Sequence, residues 1–422
     1  MRRIQLSYKT VLEMLMAGLL LIYPMAMLHV KGGMNAAFLF TLLCALMLLA
    51  ARPREMHTIE WQREWTPYVL AMFGMTVAIL ISQSWFQNYD GHPFDAASRY
   101  WLAIPIFLAM YRLRLNVFIT LQYAFPLAAI SGLLMAHYLA DGRSGIDTLD
   151  LIHFGDFELT LGFLSALSID LLGKDKLSLR LLKLVGLAAG ITASIGSGSR
   201  GGWLAIPIYI ALIVYFRRGK IFPKVAVSGL AVGIAVAVLL YSTHAGVSQR
   251  LNQVGSDVNS FETGQRDTSV GVRWQLYKAA VEVFVRHPIF GVGPEGFAAE
   301  MKPMAEAGKL TAMAADLGKG EVHNDILSKA AGMGIFGLLA ILAVYFIPLK
   351  LFWRAAHSTN ESIKRGGLMG VMFVSGFVVY GLTVEFLNLT LATAFYSFTI
   401  AVLLAFCYNI NHTVINATPQ SK

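Results

Sequence analysis

Charge is what this sequence has least of. Aspartate, glutamate, lysine and arginine make up 14% of its residues, against 56% apolar, a ratio at which a soluble domain cannot clothe its surface. Cysteine is nearly missing. Cys44 and Cys407 are the two present, each inside an apolar run, so neither a disulfide framework nor a thiolate metal cluster is signalled. Asp-x-Asp pairs, His-x-x-x-His spacing, a Walker loop and a dinucleotide fingerprint are also missing. No metal or cofactor is therefore implied. Few ionisable residues fall within the apolar runs, Glu13 and Asp170 being the clear ones, whereas coupled transporters concentrate them near the bilayer midplane. Internal repeats and low-complexity tracts are absent as well.

What the chain has instead is a series of long apolar runs, predicting an all-α polytopic membrane protein. Barrel strands would be shorter and alternate in polarity. Twelve spans are expected, at 11–30, 34–51, 66–84, 100–111, 115–139, 158–172, 181–195, 202–216, 225–241, 324–352, 368–386 and 389–410. The fourth is short and holds Pro105. Lysine and arginine crowd one set of connections: Arg2, Arg3 and Lys9; Arg52, Arg54 and Arg63; Lys174, Lys176, Arg180 and Lys183; Arg217, Arg218, Lys220 and Lys224. The short connections on the other side hold Lys31, Arg99, Arg143 and Arg200. Both termini are then expected in the cytoplasm. The net charge of +9 reads as a topology signal rather than a nucleic-acid footprint. Three regions follow: 1–243 with nine spans, 244–322 as one large extracytoplasmic loop, and 323–422 with three spans and a short cytoplasmic tail.

That loop has helical periodicity. Val272, Leu276, Ala279, Ala280, Val283 and Phe284 recur on one face behind Gly271, predicting an amphipathic helix on or near the membrane surface. His287-Pro288 ends it, and Gly291-Val292-Gly293-Pro294 makes a turn. A second helical segment is expected at 295–317.

Two polar clusters fall on the same side of the membrane as the loop. In Ser197-Gly198-Ser199-Arg200-Gly201-Gly202, glycines let amides converge, a helix start points its positive end at the turn, and Arg200 offers a bidentate phosphate donor. The same residues also fit a plain Gly/Ser turn with an arginine reaching lipid headgroups. In Glu321-Val322-His323-Asn324-Asp325, His323 could act as a general base with a carboxylate to orient it. The cluster equally fits a helix cap. Arg266 and Arg273 could each reach a phosphate or simply face solvent, and Glu385, beside Asn388 at a span end, is either functional or interfacial.

Taken in order, the Ser-Gly-Ser-Arg-Gly-Gly-Trp turn, Arg273-Trp274, His287-Pro288-Ile289-Phe290-Gly291-Val292-Gly293-Pro294 and His323-Asn324 resemble the bacterial O-antigen ligase/polymerase superfamily. The nearest likeness is to the lipopolysaccharide O-antigen ligases. The resemblance implies a GT-C-like membrane glycosyltransferase, inverting and metal-independent. It would move a polysaccharide from undecaprenyl diphosphate to a lipid A–core sugar at the periplasmic face. It maps the essential arginines to Arg200 and Arg273 and the catalytic histidine to His323. Ser199, Gly201, Arg266, Asn324, Asp325, Glu385 and Arg143 are the further candidates for substrate binding. An O-antigen polymerase, a protein O-oligosaccharyltransferase and a lipid or polysaccharide transporter stay open as alternatives.

Overall fold

A computed structural model describes residues 8–51, 59, 61–139, 149–216, 266–293 and 296–417. Arg143, Arg250 and the span expected at 225–241 lie outside them. The described residues contain no β-strand. In order the helices are α1 (Tyr8–His29), α2 (Gly33–Ala51), α3 (Trp65–Phe86), α4 (His92–Tyr111), α5 (Leu121–Leu139), α6 (Leu151–Leu167), α7 (Leu177–Ser197), α8 (Arg200–Trp203) and α9 (Ala205–Phe216). Then come α10 (Ser269–Arg286), α11 (Gly296–Glu306), α12 (Ala312–Gly318), α13 (Asp325–Ala356), α14 (Glu361–Gly381) and α15 (Thr390–Ala417). Eight of the expected twelve spans, those in α1, α2, α3, α5, α7, α13, α14 and α15, are long and apolar enough to cross a bilayer. The chain is thus a multi-pass membrane protein. The fourth, sixth and eighth expected spans are helices too, but shorter or more polar ones.

Several boundaries differ from the apolar pattern, each for a local reason. Helix α4 starts at His92 rather than at residue 100, because Pro93 in the first turn presets the helical φ and has no amide to strand. It passes through Pro105 without ending. Helix α6 starts at Leu151, where the Asp150 carboxylate accepts from the Ile152 and His153 amides at 2.9 and 3.1 Å. Asp156 and Glu158 are therefore inside a helix and fully buried. The segment expected at 295–317 is two helices, divided at Gly308, where φ is +72°. The eleventh span stops at Gly381, leaving residues 382–388 as a non-helical bridge with one 3₁₀ turn at Phe386–Asn388.

The core centres on α15, whose membrane-length window is 89% buried and which packs against α4, α14 and α2. Phe373, Phe377, Phe395 and Tyr396 form its aromatic layer, with the Phe377 and Tyr396 rings 4.9 Å apart. By contrast α1, α2, α3 and α7 keep exposed apolar faces, Leu43, Leu70 and Leu181 among them, as lipid-facing helices do.

A second, smaller core lies under α10. Val272, Leu276, Ala280 and Val283 pack with Met301, Ala314 and Ala331. The apolar face expected at the membrane surface is thus covered by α11, α12 and α13. The 288–293 segment locks this layer to α13 at a kink. Val292 and Gly293 donate their amides to the Ala331 and Gly332 carbonyls at 3.0 and 2.9 Å, and Ile335 donates to Pro288 at 2.8 Å.

Candidate active site

Residues 382–388, between α14 and α15, are where the separate clusters meet. The Arg200 turn comes first. Gly198 ends α7 at φ +69°, and the Ser199 amide donates to the Ser197 hydroxyl at 3.2 Å. The partly buried Arg200 then opens α8. Gly201 lies flat on Thr383, so close that a Cβ would fall 2.8 Å from the Thr383 hydroxyl. Gly202 faces the buried Asp156 carboxylate, and a Cβ there would overlap it. Gly202→Ala should therefore lower thermal stability by about 1–3 kcal/mol, as overpacking does. A melting curve of the detergent-purified variant checks this, and an unchanged midpoint would show that α6 and α8 can part freely.

Helix α10 brings the second arginine. Arg273 and Tyr277 are one turn apart on one face. The Tyr277 hydroxyl donates to the Leu382 carbonyl at 2.6 Å, with the His323 carbonyl also in reach at 3.1 Å. Burial holds the Tyr277 proton on, while the Arg273 charge nearby works the other way. Arg273 uses one terminal nitrogen on the Ser269 hydroxyl at 3.1 Å, and its Nε is buried with no partner among the described residues.

His323 has φ +61°, in the left-handed region that most side chains avoid. Its Nδ1 is 2.5 Å from Glu321 Oε1, as an ion-pair contact rather than an aligned hydrogen bond. Glu385 secures the turn between them. One of its oxygens accepts from the Val322 amide at 2.5 Å, the other from the Ser328 hydroxyl at 2.8 Å and the Asn388 amide. Asn324 caps α13 by accepting from the Leu327 amide at 3.0 Å. Asp325, fully buried, accepts from the Leu387 amide at 3.1 Å and the Tyr345 hydroxyl at 2.7 Å. On the far side the His153 ring packs at a tilt on Phe386, centroids 4.7 Å apart, and its Nδ1 is 2.5 Å from Asp150.

The bridge thus contains Glu385, meets Asn324 and Asp325 directly, reaches Arg273 and His323 through Tyr277, and reaches Ser199, Arg200 and Gly201 through Thr383. Asn324, Asp325 and Glu385 spend their polar atoms on the main chain and neighbouring side chains. Arg266 is exposed, and its carbonyl accepts from Gln275 at 3.0 Å. Tyr277, Asp156, His153 and the 382–388 carbonyls and amides were missed from sequence. The one available signal was Tyr277, a helical turn beyond Arg273. Among the described residues no three His, Cys, Asp or Glu side chains gather as metal ligands.

Burial alone would raise Glu321, but the His323 ring outweighs it and holds the carboxyl below the ordinary glutamate value. A depressed carboxylate stabilises the fold above its unfolded pKa, and that contribution is lost as pH falls through the folded value. Melting curves of wild type and Glu321→Gln should therefore differ near neutral pH and converge at acid pH. A gap that persists in acid would assign it to packing. Glu385 lies the other way: burial pushes it up, against the pull of Lys329, the Val322 amide and Ser328.

Two arginines and an imidazole thus come together beside the 382–388 bridge, at one end of a helical membrane bundle. Residues 185–342 match the model of the O-antigen ligase family. That segment runs from α7 into the kinked part of α13, so it holds the Arg200 turn, α10 and His323. An uncharacterised protein of Haemophilus influenzae is 26% identical over 317 residues, 73% of this chain and 78% of that one. An O-antigen ligase of Escherichia coli is 25% identical over 151 residues, 35% of each chain. The resemblance read from the sequence motifs is thus shown over this segment, while the 382–388 bridge falls beyond it.

Proposed function

We propose that this protein is a glycosyltransferase of the O-antigen ligase type. It takes polysaccharide from undecaprenyl diphosphate and joins it to a lipid A–core sugar, with inversion and without a metal. The reaction takes place at the periplasmic face of the inner membrane, with both termini cytoplasmic. The observation that carries this reading is the tie between Arg273 and His323. Tyr277, one turn from Arg273, reaches the His323 carbonyl, so a buried guanidinium nitrogen without a partner among the described residues and an imidazole are fixed in one frame.

The acceptor hydroxyl oxygen attacks the anomeric carbon as the bond to the diphosphate oxygen breaks. Its proton goes to Nε2 of His323, because Glu321 stands at Nδ1 and favours the proton there. The bonding electrons leave on undecaprenyl diphosphate, whose growing charge Arg200 and Arg273 neutralise. Glu385, Asn324 and Asp325 are positioning residues that fix the chain on either side of the histidine.

Gel analysis of lipopolysaccharide from a deletion strain tests the reading. Loss of the whole ladder, with long polymer held on undecaprenyl diphosphate, is the expected result. Core capped by a single repeat would mean a polymerase, and an unchanged ladder would sink the assignment. Arg200→Lys keeps charge but loses the guanidinium fork, so transfer should fall about tenfold, one charged hydrogen bond's worth. Full activity in that variant would argue against bidentate phosphate binding.

A further inference from the structure

A cavity of about 420 Å³ opens at the same end of the bundle, within the roughly 300–1,000 Å³ range of small-molecule sites. It lies between the end of α3, the start of α4, the 318–322 turn and the first turns of α13. Arg200, Arg273 and His323 are not in its wall, but Glu321 is. The carboxylate that meets His323 at 2.5 Å therefore also borders the cavity.

The wall has the wrong charge for a diphosphate. Asp90, Asp95, Glu321 and Glu385 face Lys319 and Lys329. Both lysines are already engaged, Lys319 with Asp316 at 3.0 Å and Lys329 with Asn388. Glu385 is likewise spent on Val322, Ser328 and Asn388, which leaves Asp90, Asp95 and Glu321 as carboxylates that repel an anion and accept from hydroxyl groups. A second observation points to a ligand. Ser82 is 2% exposed, it lines the cavity, and its hydroxyl has no partner among the described residues. A helical serine can return its proton to a carbonyl one turn back, and Ser82 does not. Leaving a buried hydroxyl unpaired is unfavourable unless a ligand completes it. Met75, Ile79 and Phe297 supply apolar wall for the C–H face of a ring.

We propose that this cavity binds the terminal sugar of the acceptor glycan, with the hydroxyl to be glycosylated passing beside Glu321 to His323. The proposal rests on the transferase reading and adds to it the place of the second substrate. The saccharide has two possible sources, the core oligosaccharide or the end of a repeat-unit chain.

The test uses full-length protein in detergent and saturation-transfer NMR with two probes, delipidated core oligosaccharide and carrier-free repeat-unit oligosaccharide. Ser82→Phe fills the cavity. Asp95→Asn changes an exposed rim residue, and its melting midpoint is measured beside it. Each should weaken saccharide binding about tenfold and raise the acceptor KM to match, leaving the donor KM unchanged. Which probe binds names the source. Failure of both probes to bind wild type, or wild-type binding in both variants, would overturn the cavity assignment. Transfer that continues with an unchanged acceptor KM would do the same and leave the transferase reading intact. Variant-sensitive binding without any transfer by wild type would overturn the transferase reading instead.

Discussion

His323→Asn should lose glycosyl transfer by roughly 10²–10⁴-fold while the protein stays folded. Asparagine is the informative replacement because of the backbone. At φ +61° most side chains carry strain of about 1–3 kcal/mol, and asparagine is among the few that adopt this region readily. His323→Ala would remove the imidazole and add strain together, so its loss of activity could be blamed on either. The tethers around residue 323 also survive the asparagine change. The Tyr277 bond goes to the main-chain carbonyl and the Glu385 bond to the Val322 amide. What disappears is the imidazole proposed to take the acceptor proton. Purified protein, carrier-linked polysaccharide and lipid A–core provide the assay, with the melting midpoint measured alongside. Transfer within threefold of wild type would remove His323 from the chemistry. A collapsed midpoint would show the asparagine to be badly accommodated, and His323→Gly, freest of all at this φ, would then carry the test.

How much of this arrangement the sequence disclosed depends on which atoms do the work. The spans were legible because a backbone in lipid must satisfy itself within long apolar helices. Arg200, Arg273 and His323 were legible as residue types suited to phosphate and proton transfer. The 382–388 bridge was not. Leu382 acts through its carbonyl, and Val322 and Leu387 through their amides, groups that every residue but proline carries. Glu385 stood out as a charge at a span end, yet its buried role as an acceptor for Val322 and Ser328 depends on chain segments far apart in sequence. The amphipathic period of α10 was correct, but periodicity does not say what covers the apolar face. Protein covers it here, through α11, α12 and α13.

The kink in α13 was equally silent, and it gives the largest stability effect expected. Gly334 has φ +60° and ψ −145°, a combination open essentially to glycine alone. A Cβ at this point would also overlap the Ile289 carbonyl. Gly334→Ala must therefore either carry the strain, about 1–3 kcal/mol, or straighten the helix. Straightening returns the Ala331 and Gly332 carbonyls to α13 and removes the acceptors for Val292 and Gly293. It also breaks the bond from Ile335 to Pro288. With about 0.5–1.5 kcal/mol for each of these three bonds, a loss of about 1–4 kcal/mol is expected, the upper end by straightening and the lower by strain alone. The stack of Trp85 on Phe290, centroids 3.9 Å apart, anchors the same segment and would loosen with it. Because that segment fixes the end of α10, Arg273 should lose its register with His323, and transfer should fall with stability. Gly18→Ala in α1, with nothing within 4 Å of the new carbon, is the control and should be neutral or slightly stabilising. Hydrogen exchange at the Val292 and Gly293 amides separates undocking from general weakening. Faster exchange there, with the α15 amides still protected, would show that the kink is the clasp holding the α10 layer on the bundle. Unchanged exchange and an unchanged melting midpoint would mean that α13 holds its bend without glycine.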